Sequence, residues 1–322
     1  MGSDDNKWLQ DEVDMILCAG ECLIDMLPSE VDGVSMLRPA PGGAVMNTAV
    51  ALGRQDVPVQ FVTGISHDQF GRLIQDHLAD SNVGLDWAVQ SDRPTTLAFV
   101  DVTDGVVSYN FYDENTAGRM IESCQLPTIP AEVTALFFGG ISLISEPAAD
   151  SYADLLLHNA EGRVVMMDPN IRPAFIKDES VYRARLTKML ALTDIVKTSD
   201  EDLEWLYPDA PNIDAAIQEL LNSGSKVVLF TEGAKGATAY RQGKNPVFVA
   251  SEKVKVVDTV GAGDTFNGGF LTAMHYEDML DKSKLSELTD AQLSKALGHA
   301  AKCAAFSVAR AGAQPPRRAD VF

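Results

Sequence analysis

The stretch of this chain whose residue types and spacing suit chemistry is Asp258-Thr259-Val260-Gly261-Ala262-Gly263-Asp264-Thr265-Phe266. It follows a β-branched run, Val254 to Val257, and leads into an apolar segment through Phe270, Leu271, Ala273 and Met274. A strand, a glycine turn and a helix start aim several backbone N–H groups at one point, where the helix dipole adds partial positive charge. Gly261 and Gly263 carry no Cβ, so phosphate oxygens can approach the backbone closely. Asp264 then sets a carboxylate at a seat otherwise suited to an anion. That placement suits a base that takes a proton from a hydroxyl attacking the phosphate. Taken alone, Gly-x-Gly-Asp reads more readily as a helix start with Asp264 as its N-cap. The rest of the chain has to decide between the two.

The elements that would position this stretch follow an alternating pattern. Met15 to Gly20 is a continuous apolar run ended by glycine, a buried strand, and Glu21 to Met26 continues it in extended form. Asp25 lies there among apolar neighbours, either as strand-end polarity or as an acceptor for substrate hydroxyls. Pro41-Gly42-Gly43-Ala44 precedes helical apolar spacing through Val45, Ala49 and Leu52, which puts Asn47 on the first turn, near both glycines. Asn47 offers a donor and an acceptor to a neutral polar molecule. Val59 to Gly64 is the next strand, and Ser66-His67-Asp68-Gln69 has capping-box spacing for a helix running to about Asp80. Leu97–Val102 and Val106–Tyr112 flank Thr103-Asp104-Gly105, a hairpin signal whose exposed edge suggests a flap over a site or a surface for pairing with a second copy.

Alternation resumes with strand 134–138, helix 147–160, strand 163–168, helix 186–192, strand 194–197, helix 214–223 and strand 226–231. Such β-then-α order implies a mostly parallel sheet covered on both faces, with sites at the carboxyl ends of its strands. Gly42-Gly43, Asp168–Asn170, Lys197–Ser199, Thr231–Gly233 and Gly261–Asp264 all fall just after predicted strands. That convergence weighs more than any one motif.

Composition sets the outer bounds. The 322 residues suffice for one large α/β domain, and the formal net charge of −20 argues against partners such as nucleic acid or an anionic membrane. Cys18, Cys22, Cys124 and Cys303 are too scattered for a disulfide framework. Met1 to Asp14 is polar and acidic, a flexible leader rather than a signal peptide, and no run approaches the ~20 apolar residues of a membrane span. A cytoplasmic protein with its domain starting at Met15 is expected.

The common nucleotide signatures fail. Phe266 stands where a dinucleotide fingerprint needs Gly or Ala, and no Gly-Lys-Ser/Thr loop exists. Taken together, however, Gly42-Gly43 with Asn47, Gly64-x-x-x-Asp68-x-x-Gly71 and Asp258–Phe266 resemble the ribokinase/PfkB carbohydrate kinases over about Met15 to Gln314. Gly20-Glu21 with Leu23-Ile24-Asp25, Ser142–Pro147 and Asp168-Pro169-Asn170-Ile171-Arg172-Pro173 resemble the bacterial fructokinases of that family.

The resemblance implies an α/β, ribokinase-like three-layer sandwich over 15–322, with a mainly parallel central sheet and a small β lid from insertions near 28–40 and 94–114. It implies transfer of the ATP γ-phosphoryl to a primary sugar hydroxyl with Mg²⁺. Asp264 would be the base, with the amides of Gly261, Ala262 and Gly263 holding phosphate charge. Asp25, Gly42, Gly43 and Asn47 would bind sugar hydroxyls. Lys197 and Ser199 would stand near the phosphates, while Thr231, Gly233 and Gly236 would line the nucleotide. Asp258, the Val260 carbonyl and the segment from Ser307 to Gly312 occupy the positions of a monovalent-cation site, for K⁺.

Three departures from the family pattern stand out. The Asn-x-x-Glu motif that supports Mg²⁺ is replaced by Ser199-Asp200-Glu201-Asp202, which leaves the metal to Asp202 or Glu201. Asp113 replaces an arginine common after the lid tyrosine, which disfavours a keto-acid acceptor, although Arg172 remains as a partner for a carboxylate. Pro316 replaces a common serine near the cation segment. Fructose is the first choice of acceptor, with 2-keto-3-deoxygluconate, ribose and a nucleoside as alternatives. A non-catalytic sugar sensor is opposed by the intact Gly261–Asp264 motif.

Overall fold

The structure, a computed structural model, describes residues 14–103 and 106–322. The expected leader and the Asp104-Gly105 turn lie outside the described residues, apart from Asp14. The strands are β1 (Met15–Ala19), β2 (Leu23–Val31), β3 (Val34–Gly42), β4 (Val59–Val62), β5 (Gly64–Ser66), β6 (Val89–Ser91), β7 (Leu97–Thr103), β8 (Val106–Tyr112), β9 (Val133–Gly139), β10 (Val164–Asp168), β11 (Ile195–Ser199), β12 (Val227–Thr231), β13 (Gly236–Tyr240) and β14 (Val247–Ala250). The helices are α1 (Ala44–Gly53), α2 (Gln69–Ala79), α3 (Ala148–Asn159), α4 (Glu179–Leu190), α5 (Asp200–Leu206), α6 (Ile213–Asn222), α7 (Ala262–Tyr276), α8 (Lys282–Leu285), α9 (Asp290–Val308) and α10 (Arg318–Val321).

Eight strands form the main sheet in the order β14-β13-β12-β11-β10-β9-β1-β4. Pairing is parallel from β12 to β4 and antiparallel at β13 and β14. The central strands read as unbroken apolar runs because both faces are buried. Ile16, Cys18, Phe137 and Met166 join one core with Val45, Phe270, Leu271 and Leu297 from α1, α7 and α9. Their neighbours Leu17, Ala19, Phe138 and Met167 join the other, with Tyr152, Leu186 and Ile217 from α3, α4 and α6. Burying each such Leu or Phe is worth about 1.5–3 kcal/mol, so a polar residue inside these strands needs a specific partner.

The hairpins β2–β3 and β7–β8 form a second sheet, ordered β3-β2-β7-β8, with β2 parallel to β7 in the middle. This small sheet is the lid. Glu21–Met26 therefore does not continue β1: the chain leaves the main sheet at Gly20 and enters the lid at Leu23.

Three local expectations change. Val254–Val257 is no strand, and its side chains at Val254, Val256 and Val257 are exposed rather than paired in a sheet. The α2 cap is Asp68, whose Oδ1 accepts from Phe70 N at 2.9 Å and Gly71 N at 2.7 Å; Ser66 instead ends β5 and accepts from Asp68 N. Helix α4 begins at Glu179, well before Leu186, capped by Asp178. Its inner face carries Tyr182 and Arg185, which mask the apolar period.

Candidate active site

A cavity of about 410 Å³ lies between the carboxyl ends of β10 and β11, the first turns of α1 and α7, and the lid. It brings together Asp25, Gly43, Asn47, Arg172, Lys197, Asp258, Val260, Gly261, Ala262, Gly263 and Asp264.

Gly261 is the N-cap of α7, in the left-handed region at φ 71°, and Thr265 N donates to its carbonyl at 2.8 Å. Only glycine takes that conformation without strain, and a Cβ there would lie 2.5 Å from that of Ala313. Asp264 is thus not the N-cap: it sits in the first turn, 8% exposed, and faces α1. Its Oδ2 accepts from Asn47 Nδ2 at 2.8 Å, and its carbonyl from Thr48 Oγ1 at 3.3 Å. Burial pushes the carboxyl up to about 7; the Asn47 bond pulls it down, Asp168 raises it further, and Lys197 opposes.

Lys197 Nζ pairs with Asp168 Oδ2 at 3.1 Å, and both are buried. Asn267, one turn beyond Asp264 on α7, donates to the same oxygen at 2.8 Å. Burial raises Asp168 above the usual carboxylate range. For Lys197 burial acts downward, but Asp168 and Asp202 outweigh it and hold the ammonium above its ordinary value. A Cβ at Gly263 would lie 3.3 Å from Lys197 Nζ, so the ammonium stands against the start of α7. Asp168 Oδ1 is buried without a hydrogen-bond partner. Sequence reasoning placed Asp168 at a strand end without giving it a role. A carboxylate closing the apolar run Val164–Met167 was the available signal. Glu21, directly after the apolar run Met15–Gly20, carries the same signal.

On the lid side, burial raises Asp25 to about 6. Gly42 lies outside the lining but directly beneath Asp25, where a Cβ would overlap the carboxylate. Tyr109 and Phe111 of β8 close the cavity, and Phe111 packs edge-on against Phe175 with centroids 4.6 Å apart. Phe99 instead packs on Tyr112. Arg172 donates to the carbonyls of Asn170 and Ile171 at 3.3 and 3.1 Å. Asp113 is engaged by Arg119 at 2.9 Å and Ser145 at 3.0 Å.

The remaining expected residues stand outside this cavity. Ser199 and Thr231 are register partners on β11 and β12, at the same carboxyl edge of the sheet as Lys197. Gly233 and Gly236 follow, both with positive φ, 54° and 134°. Asp202 is buried as the capping-box residue of α5: its Oδ1 accepts from Ile171 N, and its Oδ2 from Ser199 N and Oγ. Glu201 is exposed. Asp258 Oδ1 accepts from Val260 N and Oδ2 from Gly312 N at 2.8 Å, while Val257 N and Asp258 N both reach Val308 O. Ser307 is fully buried and accepts from Gln314 N. The structure therefore joins Asp258 to the 307–312 segment.

The comparisons with known proteins agree with this architecture. The family described as pfkB family carbohydrate kinase matches residues 13–320. A fructokinase from Rhizobium leguminosarum bv. trifolii is 46% identical over 280 residues, 87% of this chain and 85% of the relative. A crystal structure of fructokinase with bound ATP from Xylella fastidiosa superposes with a TM-score of 0.86 at 29% identity, covering 95% of this chain and 97% of that one. A Vibrio cholerae fructokinase in a fructose-, ADP- and calcium-bound form gives 0.83 at 25% identity, over 96% and 98% of the two chains. The motif loop, the cavity it shares with α1 and the lid, and these likenesses have one source: the chain belongs to the pfkB family of carbohydrate kinases.

Proposed function

We propose that the chain is an ATP-dependent fructokinase in which Asp264 is the general base. The observation that carries this reading is the buried Asp264 carboxylate, held by Asn47 at the N-terminus of α7 with a pKa of about 7. A base works best with a pKa near the working pH. The primary hydroxyl of the sugar gives its proton to Asp264 as its oxygen attacks the γ-phosphorus. The bond from that phosphorus to the β–γ bridging oxygen breaks, and ADP leaves. The N–H groups of Gly261 and Gly263, with Lys197, balance the charge that develops on the transferring group, each such donor being worth about 3–4 kcal/mol; the Ala262 N–H, expected to join them, instead donates to the Thr259 carbonyl at 3.2 Å. Asp25, Gly42, Gly43 and Asn47 offer neutral or hydroxyl-accepting contacts to the sugar. Arg172 closes the same half and suits a carboxylate-bearing acceptor as the alternative.

The nucleotide is assigned to the sheet edge from Lys197 and Ser199 through Thr231 to Gly233 and Gly236. Mg²⁺, bound chiefly by nucleotide phosphates, supplies charge neutralisation and needs only one or two protein carboxylates. Asp168, with its unpartnered buried Oδ1, fits that need; Asp202 has one oxygen engaged by the Ile171 amide and the other in the α5 capping box, and Glu201 faces solvent. The junction of Asp258 and Val260 with Ser307–Gly312 is the place for a K⁺ ion that would steady the anion loop. The lid exposes Val31, Val34, Met36 and Leu37, which supports a homodimer formed lid to lid. A cytoplasmic enzyme acting on a small sugar and ATP is consistent with the −20 charge.

ADP release measured over a panel of fructose, 2-keto-3-deoxygluconate, ribose and nucleosides tests the assignment. Fructose should give the highest kcat/KM. Preference for the keto-acid would shift the assignment to Arg172 chemistry, and saturable binding without turnover of any sugar would reject the kinase.

A further inference from the structure

Glu21, just past β1, reaches two turns that frame the cavity. Its Oε1 accepts the N–H of Ala44 at 2.9 Å, and its Oε2 accepts the N–H of Ser142 at 3.1 Å. Ala44 is the first residue of α1, a helix whose N-cap, Gly43, makes no side-chain cap bond. The Glu21 carboxylate supplies that missing acceptor from another element, at the positive end of the helix. Both turns are shaped to admit it. Gly43 has φ 117°, and a Cβ there would lie 2.8 Å from the Glu21 carbonyl; Gly140 has φ 65°, and a Cβ there would overlap Glu21 Oε1. Glu21 is 9% exposed and lines the cavity that holds Asp264. One turn into α1, Asn47 holds Asp264 Oδ2.

We propose that Glu21 is a positioning residue for phosphoryl transfer: its carboxylate anchors α1, and through Asn47 the base, and adds to the field at Asp264. The inference rests on Asp264 being that base. Asp168 from β10, Lys197 from β11 and Glu21 are the charged groups acting on Asp264, with Glu21 and Asp168 raising its pKa and Lys197 lowering it. Asp25 from β2, Tyr109 from β8, Arg172 and Asp258 complete the charged and titratable lining.

The test compares Glu21→Gln, Glu21→Asp, Ala44→Pro and Asp264→Asn by kcat, fructose KM, the acid limb of the kcat–pH profile and Tm. Glu21→Gln removes the charge and turns an NH₂ towards one of two donors. It should lower kcat about ten- to hundredfold with little change in KM, and move the acid limb about half a unit to lower pH. Glu21→Asp keeps the charge and should leave the limb in place. Ala44→Pro removes the N–H donor and sets a ring carbon against Glu21 Oε1, displacing the carboxylate, at a helix position that tolerates proline; it should lower kcat even if Glu21→Gln fails to fold. A folded Glu21→Gln with unchanged kcat, or with reduced kcat and an unmoved limb, overturns the inference, as does unchanged kcat in Ala44→Pro. Full turnover in Asp264→Asn overturns the base assignment and this inference with it. Loss of turnover in Asp264→Asn beside an unaffected Glu21→Gln overturns this inference alone.

Discussion

Asp264 combines burial with a raised pKa of about 7, and the two have opposite consequences for activity and stability. As the proposed base, Asp264 would act in its ionised form, so kcat/KM for the sugar should fall about tenfold per pH unit below that value; a pH–rate profile flat down to pH 5 would count against the base. Stability runs the other way. The folded pKa lies above the ordinary carboxylate value of about 4, so the native state binds more protons than the unfolded chain between the two values. This group's contribution is therefore lost as pH rises through that window. Asp264→Asn should cut kcat by roughly 10²–10⁴ while sugar binding persists. The same variant should be more stable than the parent chain at pH 8 but not at pH 4, which thermal melts at both pH values would check. At this scale the motif residues were legible because glycine and carboxylate types announce themselves. Asp168 and Glu21 were not, because a carboxylate at a strand end looks the same whether it faces solvent or a buried lysine.

Helices α1 and α7 form the frame of the site. They meet closely at Gly268, where a Cβ would run into Ala51, and across this contact Asn47 reaches Asp264. Gly261 is the element-scale control point, because its left-handed φ aims the first N–H groups of α7. Gly261→Ala should cost about 1–2 kcal/mol from the backbone alone, and more from Ala313, with turnover falling further than stability requires. Full turnover in that variant would separate loop geometry from catalysis. Most elements were legible from apolar period and length. The exceptions have local causes. Val254–Val257 is β-branched yet has no sheet partner, and strand propensity without pairing leaves a loop. In α4 the buried Arg185 binds Asp150, at 3.0 Å from Nε and 2.8 Å from Nη2, and the Leu143 carbonyl, so a charged residue occupies a core-facing position.

At the scale of the molecule, the lid stands over the site. Tyr109 and Phe111 bring the lid over the cavity, and on the proposed function exclusion of water there would limit transfer to water. Replacing the β2–β3 tip, residues 28–37, by a short turn should raise ATP hydrolysis relative to sugar phosphorylation, measured as ADP released per sugar phosphate formed. An unchanged ratio would separate the lid from water exclusion. Light scattering should give the mass of a dimer, and Met36→Glu should shift it to the monomer by placing a charge in an apolar contact. A wild-type monomer at working concentration would reject lid-to-lid pairing.

The sequence by itself determined the alternating architecture, the doubly covered parallel sheet, the inserted β7–β8 hairpin and the Gly261–Asp264 loop, because periodicity and glycine placement are local properties. Tertiary structure alone decided that Asp264 is not a cap, that Asp202 is engaged in capping while Asp168 keeps a free buried oxygen, and that Glu21 ties β1 to α1. Those outcomes depend on which distant backbone N–H groups and charges surround a carboxylate. In this fold, strands far apart in the chain supply them.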